Sequence, residues 1–346
     1  MRLKVTADTL AEQLGLWSGM LPTPLVHVTF GMGYARSIVA GARLGVFEAL
    51  GQGSMSVPEL ARATGCSQAG IAALSAALVG AELLRRRGDQ LENTAVARKW
   101  LVPGVEGALP EVVLFLGYCQ ELLVDLEEQV RTGQVQRLHE MEHPPEFWKA
   151  YMGALGSFAK LASKEVVRRY SHDGPLLRLL DLGGGHGMFS CALVRRNEGL
   201  VAEVLDLPEA CEAARPLVEA EGLSERVLHR PGDFRKDPLG EGYDMALIFN
   251  VLHNATEEEA RGLIERAHAA LRPGGTLLVC DAVHQGETAD LDMNAGWNEL
   301  FFFVISGAQA WPEPTVLGWL DEAGFELRKR AALLSLPNFL ISAVKR

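Results

Sequence analysis

Residues 179–190 read LLDLGGGHGMFS. A short apolar strand that contains Asp181 runs directly into four glycines within the five positions 183–187. Glycine at the end of a strand lets the backbone turn sharply and lets a ligand approach the main chain closely. The stretch therefore predicts a strand–turn–helix unit that binds a ligand on bare backbone.

The rest of the C-terminal half repeats this alternation of strands and helices. Strands are predicted over 177–183, 201–207, 226–234, 243–252, 276–283, 325–334 and 339–346. The first five alternate with helical stretches, whereas the last two follow each other closely. This order predicts an α/β fold with a doubly wound, mostly parallel sheet and an antiparallel pair of strands at one edge.

The spacing of the glycines restricts the ligand. The cluster lacks the lysine of a P-loop, and the dinucleotide pattern G-x-G-x-x-G would need glycine where Met188 stands. The pattern present is D-x-G-x-G-x-G, formed by Asp181, Gly183, Gly185 and Gly187. Such a turn allows close approach of a ligand without cradling a pyrophosphate.

Acidic residues also end the next two predicted strands. Asp206 lies 23 residues after Gly183 (206 − 183), where a carboxylate can accept hydrogen bonds from both hydroxyls of a ribose. Asp233 and Phe234 end the third strand and are candidates to hold and stack an adenine. By themselves, these motifs also permit a helix cap at Asp206 and a simple turn at Asp233.

The N-terminal half is mostly helical in pattern. A capping box at 56–59 opens a short helix, a second helix is predicted over 67–84, and a hairpin over 85–94 completes a winged-helix pattern. The second helix contains no Lys or Arg, which disfavours reading of DNA. The apolar stretch 25–50 instead predicts a homodimer interface.

Composition excludes several classes of protein. The 346 residues carry a net charge of −11, which gives no bulk attraction to nucleic acid or to an anionic membrane. The five cysteines form no CxxC pair, which indicates free thiols. With a polar N-terminus and no apolar run of about 18 residues, the sequence predicts a cytoplasmic protein. The sequence shows no cluster of oxygen-bearing side chains that would indicate a metal site.

The ordered set of motifs resembles one family. GGGHG is followed by VLDLPEA, PGDF, ALIFNVLHNATEEEA, LRPGGTLLVCDA and WLDEAGF. This series closely resembles the plant-type O-methyltransferases, which use S-adenosylmethionine and include caffeate, acetylserotonin and bacterial natural-product enzymes. The resemblance covers nearly the whole chain. It implies a winged-helix-like dimerisation domain over 1–105, a helical linker over 106–170 and a methyltransferase domain over 171–346, with the seam in SHDGPL (171–176).

The resemblance also implies site residues. Those for the cofactor are Asp181, Gly183, Gly184, Gly185, Asp206, Leu207, Asp233, Phe234 and Asn250. His253, in LHNA, matches the catalytic histidine of the family's L-H-D-W motif, and is expected to act as general base on a hydroxyl, since a phenol is mostly protonated at pH 7. Asp281 matches a family Glu that orients the imidazole, whereas Gln309 falls at a second such position.

Aromatic and methionine side chains near 147–160 and 293–307 predict an apolar acceptor pocket. The candidates are Phe147, Met152, Met293, Asn294, Trp297 and Phe301, which also permit ordinary core packing. The expected reaction is O-methylation of a small aromatic or polyketide-like molecule. The altered LHNA motif and Gln309 keep open C- or N-methylation, or hydroxylation, decarboxylation or pericyclic chemistry. A winged-helix regulator that binds a ligand is the non-enzymatic alternative.

Overall fold

The computed structural model describes residues 4–170, 172, 174–284 and 291–346. The chain divides into two compact units, one ending at Gln120 and the other beginning at Glu121. Each unit has a hydrophobic core of its own. The predicted seam at 171–176 includes Ser171 and Asp173, which lie outside the described residues. The segment boundaries at 105 and 170 stay predictions.

The first unit is helical, with one small sheet. Its helices are α1 Leu10–Ser18, α2 Thr23–Arg43, α3 Val46–Ala49, α4 Val57–Ala63, α5 Gln68–Gly80, α6 Ala95–Leu101 and α7 Pro110–Leu122, whose last two residues belong to the second unit. The strands β1 Met55–Ser56, β2 Leu84–Arg87 and β3 Gln90–Asn93 pair antiparallel in the order β1-β3-β2. Helices α4 and α5 followed by this hairpin form the predicted winged-helix arrangement.

Local signals at α4 and α5 explain their bounds. The backbone N–H of Ser56 donates to Glu59 Oε2 at 2.8 Å, so the predicted capping box opens α4. The prediction of a helix up to residue 84 was wrong, because α5 ends at Gly80. Glu82 takes a left-handed backbone conformation with φ of 56°, and Leu84 is then buried as the first residue of β2.

The second unit contains the large sheet. Its helices are α8 Leu126–Thr132, α9 Pro145–Arg169, α10 Met188–Arg196, α11 Pro208–Ala220, α12 Glu257–Ala270, α13 Met293–Ser306 and α14 Glu313–Glu322. The strands are β4 Arg178–Leu182, β5 Val201–Asp206, β6 Val227–Pro231, β7 Tyr243–Phe249, β8 Leu271–Ala282, β9 Phe325–Ala332 and β10 Asn338–Lys345. Short 3-10 turns cover Leu138–Glu140 and Leu252–Asn254.

The sheet order is β6-β5-β4-β7-β8-β10-β9. Strands β4 to β8 pair in parallel, whereas β10 runs antiparallel to both β8 and β9, which confirms the predicted sheet and its edge hairpin. All seven residues of β7 are buried, as expected of a strand covered by helices on both faces. The chain runs from β4 outward through β5 to β6 and then returns to β7 on the other side of β4, so a crevice forms at the carboxyl ends of β4 and β7.

No single helix among the described residues is long and apolar enough to cross a membrane. One bent pair, α4 with α5, reaches the required length and composition only when the two helices are counted together across a 107° bend.

A buried carboxylate fastens α9 to the turn between β9 and β10. Glu165 accepts hydrogen bonds from the backbone N–H groups of Leu334 and Ser335, at 3.0 and 2.9 Å, and from the Ser335 hydroxyl at 2.8 Å. Arg169 Nε lies 2.7 Å from the same carboxylate. These hydrogen bonds hold the pKa of Glu165 down at about 2, although its burial acts in the opposite direction.

We expect Glu165→Ala to lower the free energy of unfolding by about 2–4 kcal/mol at pH 7, because several donors lose one buried acceptor. Urea unfolding measures this loss, with exposed Glu198→Ala as the control. Because the folded pKa is depressed, the contribution is present above about pH 4.5 and disappears as the pH falls towards 2. A loss below 0.5 kcal/mol would contradict the structural role.

Candidate active site

The glycine turn after β4 is shaped by both conformation and space. Gly183 and Gly185 have positive φ values of 67° and 40°. A Cβ atom on Gly184 would lie 2.3 Å from Cγ of Asp181, and one on Gly183 would lie 2.9 Å from Cγ2 of Val251. Any side chain would therefore collide with the protein itself. The turn presents bare backbone at the carboxyl end of the central strand.

Two buried carboxyl groups lie beneath and beside this turn. Asp181 receives a hydrogen bond from the Ser190 hydroxyl at 2.6 Å, while its Oδ1 has no hydrogen-bond partner among the described residues. Asp206 accepts the N–H of Gly185 at 2.8 Å and that of Leu207 at 2.7 Å. Burial raises the pKa of Asp181 to about 7 and that of Asp206 to about 6.

This donor and acceptor set fits S-adenosylmethionine. The cofactor carries an ammonium group, a sulfonium and two ribose hydroxyls, which are cations and hydrogen-bond donors. Asp181 offers an unpartnered buried oxygen, and the turn offers a cradle that the Cβ of any other residue would fill. The raised pKa values show carboxyl groups whose negative charge lacks compensation in the protein alone.

The other predicted cofactor residues lie around the same turn. The ring of Phe234 lies 3.1 Å from the Cβ position of Gly183. Asp233 is engaged by its own turn, since its carboxylate accepts the backbone N–H of Arg235 at 2.9 Å and Arg235 Nε at 3.0 Å. Asn250 follows β7 with a φ of 55°, and its side-chain oxygen accepts a hydrogen bond from Asn338 at 2.7 Å.

The imidazole of His253 is held by Asp281 at the ends of β7 and β8. His253 Nδ1 lies 2.5 Å from Asp281 Oδ1, and both side chains are buried. The N–H groups of Leu252 and Ala282 also donate to this carboxylate, at 2.9 and 2.7 Å. A carboxylate only accepts hydrogen bonds, so Nδ1 carries the proton of the neutral ring and Nε2 keeps its lone pair. Nε2 is thus left as a hydrogen-bond acceptor, which a general base requires.

Two aromatic residues that the sequence did not single out brace this histidine. The ring of Phe302 stacks on His253 with centroids 4.1 Å apart and planes 20° apart. The indole N–H of Trp311 donates to the carbonyl of Leu252 at 3.0 Å. Gln309, the predicted position of a lost carboxylate, is exposed. Asp281 is the carboxylate that orients the ring.

A second histidine near this base also escaped sequence analysis. His139 Nε2 lies 2.9 Å from the hydroxyl of Tyr151, and the turn that contains His139 packs against α13. Burial lowers the pKa of His139 to about 4, and the nearby charge of His253 acts in the same direction. His139 is therefore neutral at pH 7. No motif surrounds it, so only the fold reveals its position.

The structure separates the predicted acceptor residues. Phe147 is fully buried, with its ring stacked on His143 at a centroid distance of 3.7 Å, so it belongs to the core of α9. The helical period turns it inward, and it offers no surface to a ligand. Met152 is buried against the glycine turn, since its Sδ lies 3.0 Å from the Cβ position of Gly185.

The predicted acceptor residues on α13 lie on a different face of that helix from Phe302, which stacks on His253. Trp297 and Phe301 stack on each other with centroids 5.7 Å apart, and Met293 and Asn294 are exposed near the start of the helix. Because successive residues of an α-helix are rotated by about 100°, Trp297 does not lie on the face of α13 that carries Phe302. The structure therefore does not bring Trp297 to His253.

Comparison with known proteins agrees with this geometry. A family model described as the O-methyltransferase domain matches residues 126–326, more than half of the chain, and one described as the O-methyltransferase dimerisation domain matches residues 26–103. Within the described residues, no group of three or more His, Cys, Asp or Glu side chains could hold a metal ion.

The names of individual relatives differ in the atom that is methylated. The 3-hydroxy-5-methyl-1-naphthoate 3-O-methyltransferase of Streptomyces sahachiroi is 28% identical over 88% of this chain and 89% of its own length. The N,N-dimethyltransferase OxyT of Streptomyces rimosus is 26% identical over 93% and 96%. Human N-acetylserotonin methyltransferase, solved with S-adenosylmethionine, shares the fold with a TM-score of 0.77, 22% identity and 99% coverage of both chains.

The family match, the glycine turn and the paired histidine together confirm the predicted enzyme class and cofactor. The chain belongs to the O-methyltransferase family and is an S-adenosylmethionine-dependent methyltransferase with an N-terminal dimerisation domain.

Proposed function

We propose that this enzyme methylates a hydroxyl group on a small aromatic or polyketide-like molecule, with His253 as the general base. The observation that carries the proposal is the contact between His253 Nδ1 and Asp281 at 2.5 Å, which leaves Nε2 as a hydrogen-bond acceptor. The naphthoate named for the Streptomyces sahachiroi relative supports an aromatic acceptor.

The cofactor is held by the residues of the glycine turn and the strand ends around it. We assign binding of the ribose hydroxyls to Asp206 and binding of the methionine part to the backbone of 183–185. Asp181, beneath that turn, supplies a negative charge opposite the cationic groups of the cofactor. Phe234 contributes an apolar ring, and Leu207, Asp233 and Asn250 complete the rim. When bound, S-adenosylmethionine supplies a methyl group that its sulfonium already activates.

The protein's own part in the reaction is positioning and proton transfer. His253 Nε2 takes the proton of the acceptor hydroxyl, and Asp281 stabilises the imidazolium that forms. Phe302 covers one face of the ring, which keeps the imidazole in place and limits the access of water. Because His139 stays neutral, it adds no positive charge that would disfavour protonation of His253.

Methylation of nitrogen or carbon is the second candidate. It is favoured by the similarity to the N,N-dimethyltransferase OxyT, and by the departure of LHNA from the family motif. A nucleophile that needs no deprotonation would make the base dispensable. A DNA-binding regulator is less favoured, since Arg87 Nε of the basic triplet pairs with Glu92 at 2.9 Å and α5 carries no Lys or Arg.

We also propose a cytoplasmic homodimer joined through the first unit. Large apolar side chains are exposed along 10–34, among them Trp17 at 75%, Phe30 at 67% and Met32 at 73%. Contiguous apolar surface of this kind marks a protein interface, and the dimerisation-domain match covers most of α2. The five cysteines are all unpaired, which agrees with a reducing compartment.

We expect His253→Ala to lower kcat by about 10²- to 10⁴-fold, because the hydroxyl loses its base. The measurement is transfer of labelled methyl from S-adenosylmethionine to a panel of hydroxynaphthoates and naphthols. Calorimetric affinity for the cofactor should be unchanged, and His268→Ala, remote on α12, should keep full activity. Nearly full activity of the His253 variant would favour methylation of nitrogen or carbon.

Asp181→Asn should stabilise the protein at alkaline pH relative to the wild type. A carboxyl that titrates near 7 when folded and near 3.8 when unfolded loses up to about 4 kcal/mol of stability as the pH rises between those values. The amide has no such loss. Urea unfolding at pH 5 and pH 8, without cofactor, should show the difference between the two proteins growing with pH. An identical difference at both values would contradict the raised pKa.

Phe30→Glu should weaken the dimer at least tenfold, because a charge would be buried in an apolar contact. Sedimentation velocity over a concentration series measures the dissociation constant. Leu228→Glu changes an apolar, 47% exposed residue of the second unit and should leave the dimer intact. A monomeric wild type would refute the proposed assembly.

A further inference from the structure

A second imidazole–carboxylate pair lies beside the first. His284 Nδ1 is 2.9 Å from Glu299 Oε1, and the two side chains are only 15% and 28% exposed. His284 follows the end of β8, and Glu299 lies on α13. The predicted base pair already accounts for His253 and Asp281, so this second pair has no assigned role in the reaction.

The second pair joins the exit of β8, the strand that carries Asp281, to α13, the helix that carries Phe302. Along the exit of β8, His284 comes three residues after Asp281 (284 − 281), which corresponds to about 10 Å of extended chain. On α13, Glu299 comes three residues before Phe302 (302 − 299), about 4.5 Å along the axis and on the same face. Because the ring of Phe302 stacks on His253, Glu299 lies one helical turn from a residue that contacts the base.

The hydrogen bond to Glu299 determines what His284 can bind. A carboxylate accepts hydrogen bonds, so Nδ1 of the neutral ring is the donor and Nε2 is an acceptor. Nε2 of His284 makes no hydrogen bond within the described part of the chain, where the ring's contact is to Glu299 through Nδ1. A ligand that pairs with Nε2 must therefore offer an O–H or N–H group, and a carbonyl or ether oxygen would not satisfy it.

We propose that His284, oriented by Glu299, accepts a hydrogen bond from a second hydroxyl of the acceptor and thereby favours aromatic acceptors that carry two hydroxyl groups. The proposal rests on the proposed O-methylation, in which the first hydroxyl faces His253. His284 is then a specificity-determining residue, and Glu299 is its positioning residue.

The test compares two probes that differ by one hydroxyl. Full-length protein saturated with S-adenosylhomocysteine is titrated calorimetrically with 2,7-dihydroxynaphthalene and with 2-naphthol. We expect the wild type to bind the diol about tenfold more tightly, because a hydrogen bond from a neutral hydroxyl to the neutral imidazole contributes on that order. In His284→Leu the ratio should fall to about two, the statistical advantage of two equivalent hydroxyls, while 2-naphthol affinity stays unchanged.

Further variants separate selection from a structural effect. His284→Gln retains a side-chain acceptor and should keep part of the preference, whereas Glu299→Gln should reduce it by loosening the choice of ring tautomer. His268→Leu, which removes a remote imidazole, should keep the wild-type ratio. A general loss of structure would weaken both probes equally, so the ratio reports the hydrogen bond itself.

The inference is overturned if the wild-type ratio is two or less, if both probes fail to bind, or if the ratio survives His284→Leu. Failure of the proposed function gives a different result. In that case the diol preference depends on His284 as expected, but labelled methyl appears on nitrogen or carbon acceptors and never on oxygen.

Discussion

The carboxylate of Asp281 is the interaction on which the candidate active site depends. It accepts hydrogen bonds from the backbone N–H groups of Leu252 and Ala282 and from the ring of His253. These donors come from the ends of β7 and β8, so the site depends on the parallel register that sets Phe249 beside Cys280. A shift of one residue would turn Asp281 to the other face of the sheet.

The glycine turn lies at the same edge of the sheet, and the two carboxyl groups beside it destabilise the protein without ligand. Asp181 and Asp206 are buried without a cation, and their raised pKa values express that cost. A ligand with an ammonium group and hydroxyl donors relieves it. If the proposed cofactor assignment holds, part of the binding energy at this turn comes from relieving these two buried charges, as is common where stability and function compete.

The orientation of helix α13 determines which of its side chains face His253. Its face with Glu299, Phe302 and Ser306 turns towards the base, and Ser306 donates to the carbonyl of Phe302 within that face. Trp297 and Phe301, which composition favoured as acceptor contacts, lie elsewhere on the helix. The run FFF at 301–303 could not reveal this choice, because three adjacent residues of a helix point in three directions.

Local patterns were sufficient for most of the fold. Capping boxes and strand alternation act within a few residues, so the sequence by itself determined the parallel sheet and its edge hairpin. The cofactor followed from the resemblance of the whole motif series to the O-methyltransferases. The end of α5 was missed because apolar residues continue past Gly80 into the hairpin.

Only the tertiary structure decided the companions of His253. Phe302 and His139 lie far from His253 in the chain, without a motif of their own, and the pair His284–Glu299 likewise forms only in the folded chain. The sequence likewise predicted Phe147 as a ligand contact, whereas in the structure its ring is buried against His143. Such contacts depend on how helices and strand ends meet in space, which hydrophobic periodicity does not specify.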